Sequence, residues 1–167
     1  RFDPQAITKG VGDHHATIFL GVPSLYAVLL RLDDAAVARW KSVRLCISGG
    51  AALPQAVMTA FEERFGIPIL EGDGPTECGP VTSVNPPAGP RKPGSVGPPI
   101  PGVEMRIADI DGRTLPDGEH GEVCVRGPSV MRGYWNLPDA TATALSPDGW
   151  FRSGDAGYLD DDGYLYI

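Results

Sequence analysis

The sequence predicts an α/β fold, with a parallel-sheet α/β portion over residues 1–85 and a small antiparallel, β-barrel-like subdomain over residues 86–167. Three observations predict it. In the first half, short apolar β-prone runs alternate with helix-periodic runs, the pattern of a parallel sheet with helical crossovers. A Pro- and Gly-rich stretch, NPPAGPRKPGSVGPPIPG (85–102), then interrupts regular structure. Beyond it, short alternating runs are separated by Asp/Gly turns, which marks antiparallel strands.

Taken in order, ATIFLGV (16–22) reads as a buried strand. Pro23 suits the first position of a helix, and SLYAVLLRL continues it with Leu25, Val28, Leu29 and Leu32 on one face. Asp33 and Asp34 read as caps for a short helix over AAVARW. VRLCIS (43–48) is a second strand, GGAALP (49–54) a turn, and Pro54 opens a helix with Val57, Ala60, Phe61 and Phe65 at helical spacing. Gly66 stops that helix. IPIL (67–70) is a third strand. In the second half, VEMRIAD and GEVCVRG alternate, DIDGR turns the chain, and AGYLD-DDG-YLYI reads as a hairpin. The one helical interruption expected there is PDATATAL (138–145).

Composition narrows the function. Hydrophobic residues make up 42% of the 167, ordinary for a globular protein. The net charge of -7 argues against nucleic acid as a main partner, because phosphate backbones need Lys and Arg patches. No apolar run approaches the length of a membrane span, and no signal peptide is visible. Cys46, Cys78 and Cys124 are odd in number and far apart, without metal or disulfide spacing. We expect inert thiols in a reducing, cytoplasmic setting. The chain begins with Arg1 and ends in GYLYI, which reads as a strand cut midway, so we expect a piece of a longer protein.

The chemistry gathers at strand ends. EGDGPTEC (71–78) leaves an apolar strand for glycines, a hydroxyl and carboxylates. Such a segment is either a plain surface turn or a loop lying against a phosphate and its metal ion. SGGA (48–51) follows the second strand in the same way. In open α/β sheets, ligands bind at the carboxyl edge of the strands, and glycine lets the backbone approach them. Thr76 offers a hydroxyl to a phosphate oxygen, and Glu77 a hard carboxylate suited to Mg²⁺. Two αβ turns with a capping Thr and a solvated Glu remain the plain alternative. Asp155, in FRSGDAGYLDDDGYLYI (151–167), follows Gly154 at an expected bend before a strand; it either accepts both hydroxyls of a ribose or caps a turn. The P-loop, GxGxxG and GxSxG patterns are absent. The adjacent pair His14-His15 reads as a solvated loop.

Five stretches, in this order, resemble the adenylate-forming (AMP-binding) superfamily of acyl-CoA synthetases, luciferases and peptide-synthetase adenylation domains. TIFLGVPSLY (17–26) resembles a strand and helix at its acyl pocket, and CISGGAALP its adenine-side loop. EGDGPTE resembles its Gly-aromatic-Gly-x-Thr-Glu motif, GEVCVRGPSVMRGYWNLPDAT its Gly-Glu to Gly-Tyr segment, and GWFRSGD its Thr-Gly-Asp motif. ECGPVTSVNP (77–86) is most similar to fatty acyl-CoA synthetases. The resemblance covers nearly the whole chain. One such motif is weak; five in register are specific.

The resemblance implies a ligase that activates a carboxylic, here fatty, acid with ATP and Mg²⁺ as acyl-adenylate, then passes it to coenzyme A. Thr76 and Glu77 become the catalytic pair, with Glu77 on the metal. Gly50, Ala51, Gly72, Asp73, Gly74, Pro75, Thr76, Asp155 and Ile167 become the ATP/AMP contacts. Gly50 and Ala51 would wall one side of adenine and position 73 the other; Asp155 would take the ribose hydroxyls. Position 73 departs from the family, which places an aromatic ring there to stack on adenine; Asp73 cannot stack, though it can accept from an adenine amine. The resemblance also implies a phosphate loop upstream, and an Asp-Arg hinge and lid domain with a catalytic Lys downstream of these residues. We therefore expect no significant turnover from the 167 residues alone. Two alternatives stand: an adenylation domain loading an amino or aryl acid onto a carrier protein, and a noncatalytic nucleotide- or protein-binding module. Fatty acids partition into bilayers, which leaves peripheral membrane contact open, but no basic amphipathic stretch asks for it.

Overall fold

A computed structural model describes residues 2–167. The chain divides into two compact units, one up to Glu71 and one from Gly72 to Ile167. The division precedes the Pro/Gly stretch at 85–102, because Ser83–Val84 already pairs with Gly72–Asp73.

The first unit is a parallel sheet carrying helices. It begins with a helix that sequence patterning did not reveal, α1 (Pro4–Asp13): Asp3 caps it by accepting from the Gln5 and Ala6 N–H groups, and Pro4 supplies a preset first turn. Strand β1 (Ile18–Gly21) pairs parallel with β2 (Leu45–Ser48), which pairs parallel with Ile69–Glu71 at the start of β3 (Ile69–Asp73). Between them lie α2 (Pro23–Leu29), the short α3 (Asp34–Val37) and α4 (Gln55–Phe65). Asp33 caps α3 through the Ala36 N–H, and Gly66 ends α4 in the left-handed region at φ 67°, both as expected.

Expectations for β1, α2 and β3 need correction. β1 is not a buried strand: Leu20 is 66% and Ile18 40% exposed, while Phe19 faces the core. A four-residue apolar run reads the same whether one face is covered or two. The buried face of α2 is Pro23, Tyr26 and Leu29 rather than Leu25 and Val28. Tyr26 wins because its ring packs edge-on against Phe61 while its hydroxyl donates to the Ile47 carbonyl at 2.7 Å. β3 does not stop at Leu70 but runs through Asp73.

The core of this unit is aromatic. Trp40, fully buried, meets Phe19, Phe61 and Phe65, and its indole N–H donates to Thr8 Oγ1 at 3.1 Å. Glu62 on α4 accepts from the Ile69 N–H at 2.7 Å, tying that helix to the start of β3.

In the second unit the end of β3 pairs antiparallel with β4 (Ser83–Val84). A four-stranded antiparallel sheet follows in the order β5 (Glu104–Ala108), β6 (Gly121–Arg126), β7 (Phe151–Leu159), β8 (Leu165–Tyr166). Helix α5 (Pro138–Ala144) is the expected interruption. Ile107, Val123, Val125, Phe151 and Leu165 form the core together with Cys78. Trp150 lies between the Arg106 and Arg126 guanidiniums, 4.5 and 4.6 Å from its ring. The Pro/Gly stretch is pinned rather than loose. Asn85 donates to the Ser95 carbonyl and accepts from the Lys92 N–H. The Lys92 ammonium reaches Asp160 and Asp162 at 2.6 and 2.7 Å. The hairpin at 160–163 forms as expected. The bend expected before Asp155 does not: Asp155 lies inside β7, on a bulge.

Candidate active site

The stretch EGDGPTEC (71–78) is part strand and part turn. Glu71, Gly72 and Asp73 stay in the sheet. The chain then leaves through Gly74 and Pro75 into one 3₁₀ turn, Thr76–Cys78. Gly74 is required by close approach: a Cβ there would meet the Pro80 carbonyl carbon and the Val81 Cα at 2.7 Å. The return limb closes on Asp73, whose carbonyl accepts from the Thr82 N–H at 2.8 Å and the Thr82 hydroxyl at 3.1 Å. Cys78 is buried in the β core and anchors the turn. The residues before it face outward, with Thr76 exposed and Glu77 half-buried.

Glu77 is held at two points. Its carbonyl accepts from the Met131 N–H at 2.6 Å. Its Oε1 accepts from the Tyr134 hydroxyl at 2.9 Å, which raises the Tyr134 phenol above its usual value. Tyr134 is therefore a partner of the candidate residue Glu77 that sequence reasoning did not single out, although it lies in the segment GEVCVRGPSVMRGYWNLPDAT. Its signal is visible only in three dimensions, because 57 residues separate the pair.

Asp73 is half-buried at the strand end. Burial pushes its carboxyl up, a hydrogen bond from the Gly74 N–H opposes that, and the negative charge of Asp155 adds to the rise. Asp155 thus lies within electrostatic reach of Asp73. The nearby Cys78 thiol is pushed up to about 11, by burial and then by the Glu77 and Asp73 charges, which makes it a poor nucleophile. Cys46, in the other unit, is pushed up to about 12, chiefly by burial. All three cysteines are buried, as expected of inert thiols.

Asp155 reaches the surface through an irregular ladder. Cys124 pairs with Arg152 and Glu122 with Ala156, so Val123 alone faces Ser153, Gly154 and Asp155. Gly154 takes φ 80°, which favours glycine. Bulges of this kind re-aim a side chain, and here the Asp155 carboxylate emerges exposed.

The structure thus gathers Gly72, Asp73, Gly74, Pro75, Thr76, Glu77 and Asp155 in the second unit. Gly50 and Ala51 belong to the first unit, exposed in the turn after β2, with Gly50 at φ 78°. Ile167 follows β8 and is 49% exposed. Among the described residues there is no group of three or more His, Cys, Asp or Glu able to hold a metal, and no helix is long and apolar enough to cross a membrane.

Comparison with known proteins places the chain in a family. The model of the AMP-binding enzyme family matches residues 1–135. The long-chain-fatty-acid–CoA ligase of Bacillus subtilis is 42% identical over the whole of this chain and 30% of its own length. The sulfoacetate–CoA ligase of Cupriavidus necator is also 42% identical, over the whole chain and 32% of its own length. The crystal structure of ATP-bound MatB from Rhodopseudomonas palustris superposes with a TM-score of 0.90 at 38% identity, covering 100% of this chain and 33% of that one. The chain spans about a third of the length of these relatives. With a matched family model over most of its residues and the same fold throughout, this chain belongs to the AMP-binding enzyme family.

Proposed function

We propose that this chain carries part of the nucleotide site of an ATP-dependent acid–CoA ligase. The observation that carries the reading is the turn Thr76–Cys78: a buried Cys78 fixes it, leaving an exposed hydroxyl and a tethered carboxylate, with Asp155 exposed in the same unit and its charge felt at Asp73. In this reading a carboxylate oxygen of the acid attacks the α-phosphorus of ATP, the bond to the bridging oxygen breaks, and pyrophosphate leaves. The thiol of coenzyme A then attacks the acyl carbon and AMP departs. The Thr76 hydroxyl donates to an α-phosphate or reacting carboxylate oxygen, and the charge gathering on phosphate is stabilised electrostatically. Asp155 accepts from the ribose hydroxyls. In the first unit, the exposed Gly50–Ala51 turn is proposed, for that unit alone, as a surface for adenine.

The donor set fits Mg²⁺ held mainly by nucleotide phosphates. One carboxylate is supplied by Glu77, one of whose oxygens is engaged by Tyr134, and Mg²⁺ takes few protein ligands when phosphates are present. When bound, the ion would neutralise phosphate charge; Glu77 would hold it, and Tyr134 steadies Glu77. The acid is proposed to be fatty, on the similarity of residues 77–86, although relatives of equal identity are named for fatty acid and for sulfoacetate. Buried thiols suit a cytoplasmic setting.

The test is acid-dependent ATP–pyrophosphate exchange by the full-length protein that carries this sequence, with fatty, small and aryl acids. Glu77→Ala should lower exchange by about 10²-fold or more, on the scale of losing a main charge-stabilising group. Exchange with fatty acids only supports the finer reading, and exchange with sulfonated or short acids moves the substrate class. A noncatalytic nucleotide-binding module is the second reading, favoured by Asp73 at the family's aromatic position; no exchange with any acid selects it.

A further inference from the structure

The proposed ribose contact, Asp155, sits on a part of β7 that packing does not hold. A Cβ on Gly154 would meet nothing within 4 Å, so the φ of 80° there is not imposed by crowding. Hydrogen bonds set the bulge instead, and most of them end on one side chain. The Glu122 carboxylate accepts from the Gly154 N–H at 3.1 Å through Oε1. Its Oε2 accepts from Arg152 Nε at 2.8 Å and Nη2 at 2.6 Å. The Glu122 backbone pairs with Ala156, the residue after Asp155. Glu122 therefore grips the chain at 152 and 154 before Asp155 and at 156 after it. Its side chain is 22% exposed and that of its partner Arg152 42%, and the bonds are charge-assisted. The Ser153 hydroxyl, accepting from the Asp155 N–H at 3.0 Å, completes the bulge.

We propose that Glu122 is a positioning residue for recognition of a ribonucleotide diol: it aims the Asp155 carboxylate by shaping the bulge, without touching the ligand. The inference rests on Asp155 being the ribose contact. A merely structural Glu122–Arg152 pair would affect stability, but would not alter discrimination between a ribose and a deoxyribose.

The test is calorimetric titration of the full-length protein with ATP and with 2′-deoxy-ATP, which reads binding whether or not chemistry follows. The unmodified protein should prefer ATP by about tenfold, the scale of a charge-assisted hydrogen bond. Asp155→Ala should erase that preference. Glu122→Gln should erase most of it, because a carboxamide has one acceptor oxygen where the carboxylate has two, and adding it to Asp155→Ala should change the preference no further. Preference lost in Asp155→Ala but intact in folded Glu122→Gln overturns the role of Glu122 and leaves Asp155 standing. Preference intact in Asp155→Ala, or no binding of ATP, removes the Asp155 reading and this inference with it. If Glu122→Gln does not fold, Glu122→Asp takes its place: it keeps the charge but is too short to span Arg152 and Gly154, and an unchanged preference in it overturns the proposal.

Discussion

Glu77 and Asp73 are neighbours in the sequence but meet different physics. Glu77 is steadied by a phenol from a distant segment, so Tyr134→Phe should leave the fold intact and lower exchange by about fivefold, the scale of one hydrogen bond. An unchanged rate would mean that the turn alone aims Glu77. Asp73 carries an electrostatic penalty. Its carboxyl is raised by burial and by Asp155, so the folded state holds that proton more tightly than the unfolded chain. The resulting contribution to stability is complete below the ordinary value of 3.8 and is lost as pH rises through the raised value. Asp73→Asn should therefore match the unmodified protein in Tm at low pH and exceed it increasingly toward neutrality. A Tm difference that does not vary with pH would exclude this account.

At the scale of elements, the two kinds of glycine make separable predictions. Gly66 is needed only for its left-handed φ of 67° and has open space around it. Gly66→Ala should cost about 1 kcal/mol in urea unfolding and leave nucleotide binding alone. Gly74 is needed because the Pro80–Val81 backbone lies against it. Gly74→Ala must displace that return limb, so it should weaken ATP binding as well as stability. Equal effects of the two on binding would contradict the close approach. The same elements show what a sequence makes legible. The cap at Asp33, the stop at Gly66, the helix at 138–144 and the hairpin before β8 are local chemistry and are readable from it. The end of β3 is not, because Gly72 and Asp73 look like turn residues and are kept in the strand by a partner at Ser83–Val84. Helix α1 hides because its buried positions, Thr8 and Val11, include only one apolar side chain. Glu122 and Tyr134 lie within one motif-like segment, but what they hold lies 30 and 57 residues away.

At the scale of the whole molecule, a family match over most of the chain coexists with a chain about a third as long as its relatives. The fold class was readable because strand and helix alternate in the first unit and strands follow strands in the second. The acid was not, because relatives of 42% identity are named for chemically different acids. We expect the 167 residues alone to show no ligase turnover with ATP, coenzyme A and any acid of the panel, and the full-length protein to show it. Turnover by the short chain would mean that these residues suffice for both half-reactions.

The bulge in β7 has a consequence that needs no ligand to observe. A strand with three residues facing one is two short ladders, ending at Arg152 and restarting at Ala156. The amides between them are shielded by side chains rather than by a neighbouring strand: Gly154 by Glu122 and Asp155 by Ser153. Amide hydrogens report the free energy of local opening. Gly154 should therefore exchange with solvent deuterium ahead of Phe151 and Gly157 on either side, and replacing Glu122 should quicken Gly154 while leaving those flanks slow. The exchange rate of one glycine would then serve as a gauge of how firmly the strand is set before any nucleotide arrives.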